Sequence, residues 1–176
     1  MRGSWSKMRE MTLPDAARRV ALDFESFFRA EYRSLCQALV LLVGDAFEAE
    51  ELAQETMTKV LERWDRVGTM DSPAGYAYRT ALNLQRKRIR RLAVRAKRRF
   101  ALVPAADIGT DASDRQDVHR ALQTLPEGQR AALILVDWLD MDTEEAGRVL
   151  GLKPASVRVR LHRARSALRD ALGETS

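Results

Sequence analysis

The chain has 176 residues, room for one mid-sized domain or two small ones. Hydrophobic residues make up 45%, enough for a core, and a net charge of +5 with a pI near 9.8 leans toward a polyanionic partner. A single cysteine, Cys36, excludes an intrachain disulfide framework and a cysteine metal site; within "SLCQALVLLV" it reads as a small buried residue.

Residues 1–20 read as a loose N-terminal arm. Arg2, Lys7 and Arg9 supply charge there, but no apolar stretch of signal-peptide length follows. The longest apolar run, Ala38 to Val43, is far short of the roughly 20 residues of a membrane span. A soluble, cytoplasmic chain without membrane insertion is expected.

Helical periodicity begins with Phe24, Phe27, Phe28, Tyr32, Leu35, Leu39 and Leu42, one apolar stripe that Gly44 ends. Asp45 is placed to cap a second helix running on through "DAFEAEELAQETMTKVLERWDRV". Its buried face is predicted as Leu52, Ala53, Met57, Val60, Leu61 and Trp64, with Glu48, Glu51, Glu55 and Glu62 off that stripe. "GTMDSPAG" is a loop. From Tyr76 a third helix turns strongly basic after Leu84: nine of the fourteen residues from Arg86 to Arg99 are Lys or Arg. Residues 101–114 form an aperiodic linker with Pro104 and Gly109.

Beyond it lie one helix, a break at Leu125-Pro126, and a second apolar helix. "DTEEAGRVLG" is a short helix opened by an Asp142/Glu145 capping box and closed by Gly151. Lys153 and Pro154 lead into "KPASVRVRLHRARSALR". There Leu161, Ala164 and Leu168 fall within about 40° of Val157 at roughly 100° per residue. The fold class is all-α: two small helical domains joined by a flexible linker.

Short helix, tight turn and longer basic helix form the helix-turn-helix order. The outer face of the last helix holds Val159, His162, Arg163 and Ser166, with Arg158 at its edge; Arg160 and Arg165 flank the core stripe. In a major groove, Arg158 and Arg163 would pair with guanines, His162 with a base or phosphate, and Val159 with a thymine methyl, while the flanking arginines reach phosphates. In the first half, Tyr76, Tyr78, Arg79 and Asn83 stand before the basic run, a mixture of rings and cations suited to unpaired bases. The loop Gly68–Gly75 abuts that surface and is suited to cradle an extruded base. Asp45, Glu48, Glu50, Glu51 and Glu55 would repel DNA, which favours a basic protein partner for the second helix. A di-metal carboxylate centre would want Glu-x-x-His pairs, but His119 and His162 both lie in the other half.

These residues resemble the bacterial extracytoplasmic-function (group IV) RNA polymerase sigma factors, actinobacterial-like, with regions 2 and 4 only. "AEELAQETMTKVLERW" is similar to region 2.2, and "SPAGYAYRTALNLQRKRIRR" to regions 2.3 and 2.4. "ALQTLPEGQRAAL" and "EEAGRVLGLKPASVRVRLHRAR" are similar to region 4. The resemblance implies a region 2 domain over 21–100 and a region 4 domain over 115–176. It implies a non-enzymatic factor, without cofactor, metal or catalytic residues, that binds core polymerase and directs it to promoters. Glu48, Glu51, Gln54 and Glu55 would dock on the clamp helices of the largest subunit, and region 4 on the flap of the second-largest. Thr69, Met70, Asp71, Ser72, Tyr76, Arg79, Asn83, Arg86, Lys87 and Arg90 would meet the −10 element as it opens. Lys153, Ser156, Arg158, Val159, Arg160, His162 and Arg163 would read the −35 element as duplex. An anti-sigma protein is a further partner class that the resemblance admits. The chain departs from the family pattern at Tyr76 (often Trp), Lys87 (often acidic), Leu82 (often Arg), Asp140 (often Gly) and Val159 (often Ser).

A 14-residue linker spans at most roughly 50 Å extended, and one turn of DNA is about 34–36 Å. With the domains' own widths added, the halves reach sites about two turns apart. The rival readings are a helix-turn-helix repressor acting alone, which has no use for the acidic helix, and a nucleic-acid enzyme, for which no nucleophile–base pair or ligand set is found.

Overall fold

The computed structural model describes the backbone of residues 15–98 and 113–173, with side chains over 23–93 and 117–173. Residues 101–112 of the predicted linker and 1–14 of the predicted arm lie outside these residues, and the last two linker positions, Ser113 and Asp114, already belong to a helix. Every regular element among the described residues is helical: α1 (Asp15–Val43), α2 (Ala46–Leu61), α3 (Trp64–Val67), α4 (Pro73–Arg98), α5 (Ser113–Thr124), α6 (Glu127–Leu133), α7 (Thr143–Leu150) and α8 (Pro154–Ala171).

The local signals act as their chemistry dictates. Gly44 takes the left-handed φ of +92° that closes α1, and Asp45 accepts from the Glu48 N–H at 2.7 Å to start α2. Gly151, at φ +69°, closes α7. Pro126, with no N–H to give, separates α5 from α6. Four expectations are corrected. Helix α1 starts at Asp15, inside the segment read as a loose arm. Helix α4 starts at Pro73, inside the predicted loop, with proline in a first-turn position that needs no donor. The α2 helix stops at Leu61, which is 48% exposed rather than core. Trp64 starts the separate turn α3, where it packs edge-on against Phe24 at 5.3 Å between ring centroids and tilted against Phe27 at 4.9 Å. Last, the apolar helix after Pro126 passes into a π-helical turn over Ile134–Trp138.

The stripe of α1 buries Leu35, Leu39 and Leu42 against Ala49, Leu52, Ala53 and Met57 of α2 and Tyr78, Ala81 and Leu82 of α4. Each fully buried aliphatic side chain of this kind contributes about 1.5–3 kcal/mol. The same core continues into the second half through Ala131, Ala132, Ile134, Leu135, Met141, Ala146, Val149, Leu150 and Val157. The two halves therefore pack on each other. A polar rim joins them: Gln123 Nε2 donates to the Leu41 carbonyl (2.9 Å), His119 Nε2–H to the Gly44 carbonyl (3.3 Å), and Arg86 pairs with Glu127 (3.5 Å).

Candidate nucleic-acid interface

Helix α8 has the predicted phase. Val157, Leu161 and Ala164 are buried, Leu168 is half-buried, and Lys153, Ser156, Arg158, Val159, His162 and Arg163 are exposed. Its footing is the turn after α7. A Cβ on Gly147 would lie 2.7 Å from the Leu152 carbonyl oxygen, so only glycine lets α7 and the turn approach this closely. Gly147 carried no signal in the sequence reading, because inside a helical pattern a lone glycine looks neutral. Arg160 is half-buried and lies over Gly128, where a Cβ would come 2.5 Å from its guanidinium. Arg165, read as a phosphate contact, is engaged by Asp137, through Nε at 3.0 Å and the terminal nitrogen at 2.5 Å. That bidentate hydrogen bond raises its pKa.

On α4 the predicted residues Tyr76, Arg79, Asn83, Arg86, Lys87 and Arg90 recur at steps of three, four, three, one and three, so they share one side of the helix. Arg79, Asn83, Lys87 and Arg90 are exposed, and Tyr76 and Arg86 are half-buried. Tyr76 is held from its edge by Arg63, whose guanidinium donates to the phenol oxygen at 3.0 Å. Tyr78 belongs elsewhere. It is buried in the core, with its hydroxyl 3.3 Å from Ser34 Oγ, and burial pushes its phenol pKa up. It is one residue out of phase with the open face.

In the loop before α4, Thr69 and Asp71 are exposed, and Met70 packs against the cluster of Val60, Trp64, Val67 and Ala77. Ser72 caps α4 by accepting from the Gly75 N–H at 3.0 Å. The same hydroxyl donates to Glu145 Oε1 of α7 at 2.8 Å. Arg86 and Arg90 of α4 and Arg160 and Arg163 of α8 line one open cleft of about 520 Å³, together with Ile89 and Pro126.

On α2, Glu51 and Gln54 are exposed and Glu48 and Glu55 half-buried. Their setting is not the one expected. Arg88 of the basic helix reaches across to Glu55 (3.0 Å) and Glu51 (3.8 Å). The acidic and basic helices are thus locally complementary, and repulsion from DNA alone does not dictate where α2 faces. The carboxylates keep about half their surface, with Glu51 55% and Glu55 42% exposed. Among the described residues no helix is long and apolar enough to cross a membrane.

Two family descriptions match the chain: "Sigma-70 region 2" over residues 27–95 and "Sigma-70, region 4" over residues 115–168. The chain is 30% identical to an RNA polymerase sigma-E factor of Streptomyces avermitilis, covering 86% of each. It is 36% identical to the ECF RNA polymerase sigma factor SigE of Mycolicibacterium smegmatis, over 77% of this chain and 56% of that one. In fold it is similar to the sigma factor RpoE of Bartonella quintana, solved in complex with the anti-sigma factor NepR. The TM-score is 0.80 at 22% identity, covering 86% of this chain and 97% of that one.

Proposed function

The chain belongs to the RNA polymerase sigma factors of the extracytoplasmic-function type, and from that premise we propose how its surfaces divide the work of promoter-specific initiation. Glu48, Glu51, Gln54 and Glu55 dock on the clamp helices of the largest polymerase subunit, and the second half seats on the flap of the second-largest. The α4 face from Tyr76 to Arg90, with loop residues 69–72, takes the −10 element as its strands part, Tyr76 offering a ring on which a base stacks. The outer face of α8 enters the −35 major groove, with Arg158 and Arg163 toward base edges and Lys153, Ser156 and Arg160 toward the backbone. The polymerase carries out the chemistry and this chain works in the cytoplasm as a non-enzymatic specificity factor. An anti-sigma protein, the class of partner bound by the Bartonella quintana factor, is included among its partners.

The observation that carries this reading is the pairing of two exposed basic faces, one per half, each lying within its own matched region. Promoter elements about two DNA turns apart lie roughly 70 Å from each other. Arg86 and Arg90 share a single cleft with Arg160 and Arg163. Engaging both elements at once therefore requires the halves to part while the chain between Arg98 and Ser113 tethers them.

A gel shift on promoter DNA with and without core polymerase tests the reading. Specific binding that depends on core is expected. Tight specific binding by the chain alone would instead make it a repressor. Replacing Glu51 and Glu55 by lysine should weaken core association at least tenfold, since each reversal removes an attraction and adds a repulsion. Full association by that variant would remove the acidic face from the account.

A further inference from the structure

The contact between Ser72 and Glu145 has a consequence beyond packing. Ser72 is the N-cap of α4, and Glu145 is the third residue of α7, whose own N-cap is Asp142. Asp142 accepts from the Glu145 N–H at 2.7 Å, which is one half of a capping box. In the complete box the Glu145 carboxylate would turn back to the Asp142 N–H. Here it reaches across to the Ser72 hydroxyl instead. The carboxylate sits at the N-terminus of a 26-residue helix, where the unpaired N–H groups favour negative charge. Behind it, Gly75 is buried, and a Cβ there would lie 3.7 Å from Val149 of α7.

We propose that α7 is an internal occupant of the loop that receives the −10 strand. Glu145 latches the halves closed through Ser72 and is released to the Asp142 N–H when they part. The functional half of this statement rests on the promoter reading given above. The carboxylate takes the place at Ser72 that a phosphate or a base edge would otherwise fill, so the closed chain cannot admit a strand there. The Ser72 bond is part-buried whereas the Asp142 position is exposed to water, so the carboxylate favours the closed state by about one net hydrogen bond. The other ties across the boundary are the shared apolar core, whose exposure sets the main cost of opening, and a polar rim that water can replace. Arg86 and Glu127 each keep about a third of their side-chain surface, so water can replace either partner.

The test uses the full chain with Cys36→Ala and nitroxide labels at Asp65→Cys and Arg169→Cys, exposed positions one in each half. Pulsed electron resonance reads the distance between them in the free protein. The parent should give one dominant short distance. Glu145→Ala should raise the long-distance population roughly fivefold, the worth of about one net hydrogen bond, with helical content unchanged by circular dichroism. Ser72→Ala should do the same, and the double variant should open no further than either single one, because both remove one contact. With core polymerase at limiting factor, Glu145→Ala should raise run-off transcript by a similar factor. Distances unmoved by Glu145→Ala, or two single effects that simply add, would overturn the latch. Distances that move while no variant supports transcription would keep the latch and sink the promoter reading.

Discussion

The two basic helices have similar compositions and are held differently. Helix α8 is anchored from below by Val157, Leu161 and Ala164, with Leu168 half-buried one turn further on, so its outer face is backed by the core over most of its length. Helix α4 is anchored through its first half by Ala77, Tyr78, Ala81, Leu82 and Gln85, and from Ile89 to Ala93 its residues are exposed. A helix supported in this way suits a groove whose shape is already present. A helix fixed at one end, beside a loop and a half-buried tyrosine, suits a strand that has to be captured as it leaves the duplex.

The sharpest way to break this comparison is to remove the footing of α8 alone. Gly147→Val drives a side chain into the Leu152 carbonyl and should destabilise by about 2–3 kcal/mol, lowering the melting temperature by about 5–10 °C. Calorimetry should show one transition, since the halves share a core. Two separate transitions would mean that the core does not couple them.

Binding separates the two surfaces further. Arg163→Ala should cost about 1–3 kcal/mol on −35 duplex and relax specificity there. Tyr76→Ala should cost about 1–3 kcal/mol on templates with an already melted −10 strand and leave the −35 duplex contribution alone. Footprinting of the holoenzyme on the two template types reads both. Equal losses on both templates would merge the surfaces that the comparison keeps apart.

A smaller effect of opposite sign is expected at Asp140, whose φ of +54° is the one left-handed non-glycine conformation among the described residues. This explains why glycine is frequent there in the family. Asp140→Gly should stabilise by about 0.5–1 kcal/mol in a urea titration, without changing DNA contacts.

The smallest effect is in the first half. Partial burial raises the Glu31 pKa above the usual carboxylate value. A raised folded-state value means the native state favours the proton. Stability is therefore fullest below the unfolded pKa and declines as pH rises through the folded one. Glu31→Gln should melt slightly higher than the parent near neutral pH and identically in acid. A gap of the same size at both pH values would assign the effect to packing.

Much of this was legible in the sequence where one residue type has one physical job. Gly44 and Gly151 close helices, Asp45 and Asp142 open them, and the α8 stripe has a single phase. What escaped depends on contacts distant in sequence. Nothing local to Leu61 announces that α2 stops there; Trp64 turns away to meet Phe24 and Phe27. Tyr76 and Tyr78 look alike in sequence, and only the phase of α4 against α1 sends Tyr78 to Ser34. Arg88 and Glu127 read as ordinary surface charges, and Glu145 as a local capping-box residue, until the fold brings Glu55, Arg86 and Ser72 to them. The packing of the two halves is of the same origin, since two amphipathic stripes do not name their partner.

Run-off transcription with purified core polymerase on a genomic fragment library is the most direct measurement. Aligned start sites should share two upstream motifs about two DNA turns apart, and the upstream one should lose its definition in Arg163→Ala. Transcripts whose start sites share no paired motif, or no dependence on the added chain, would contradict the assignment of one promoter element to each half.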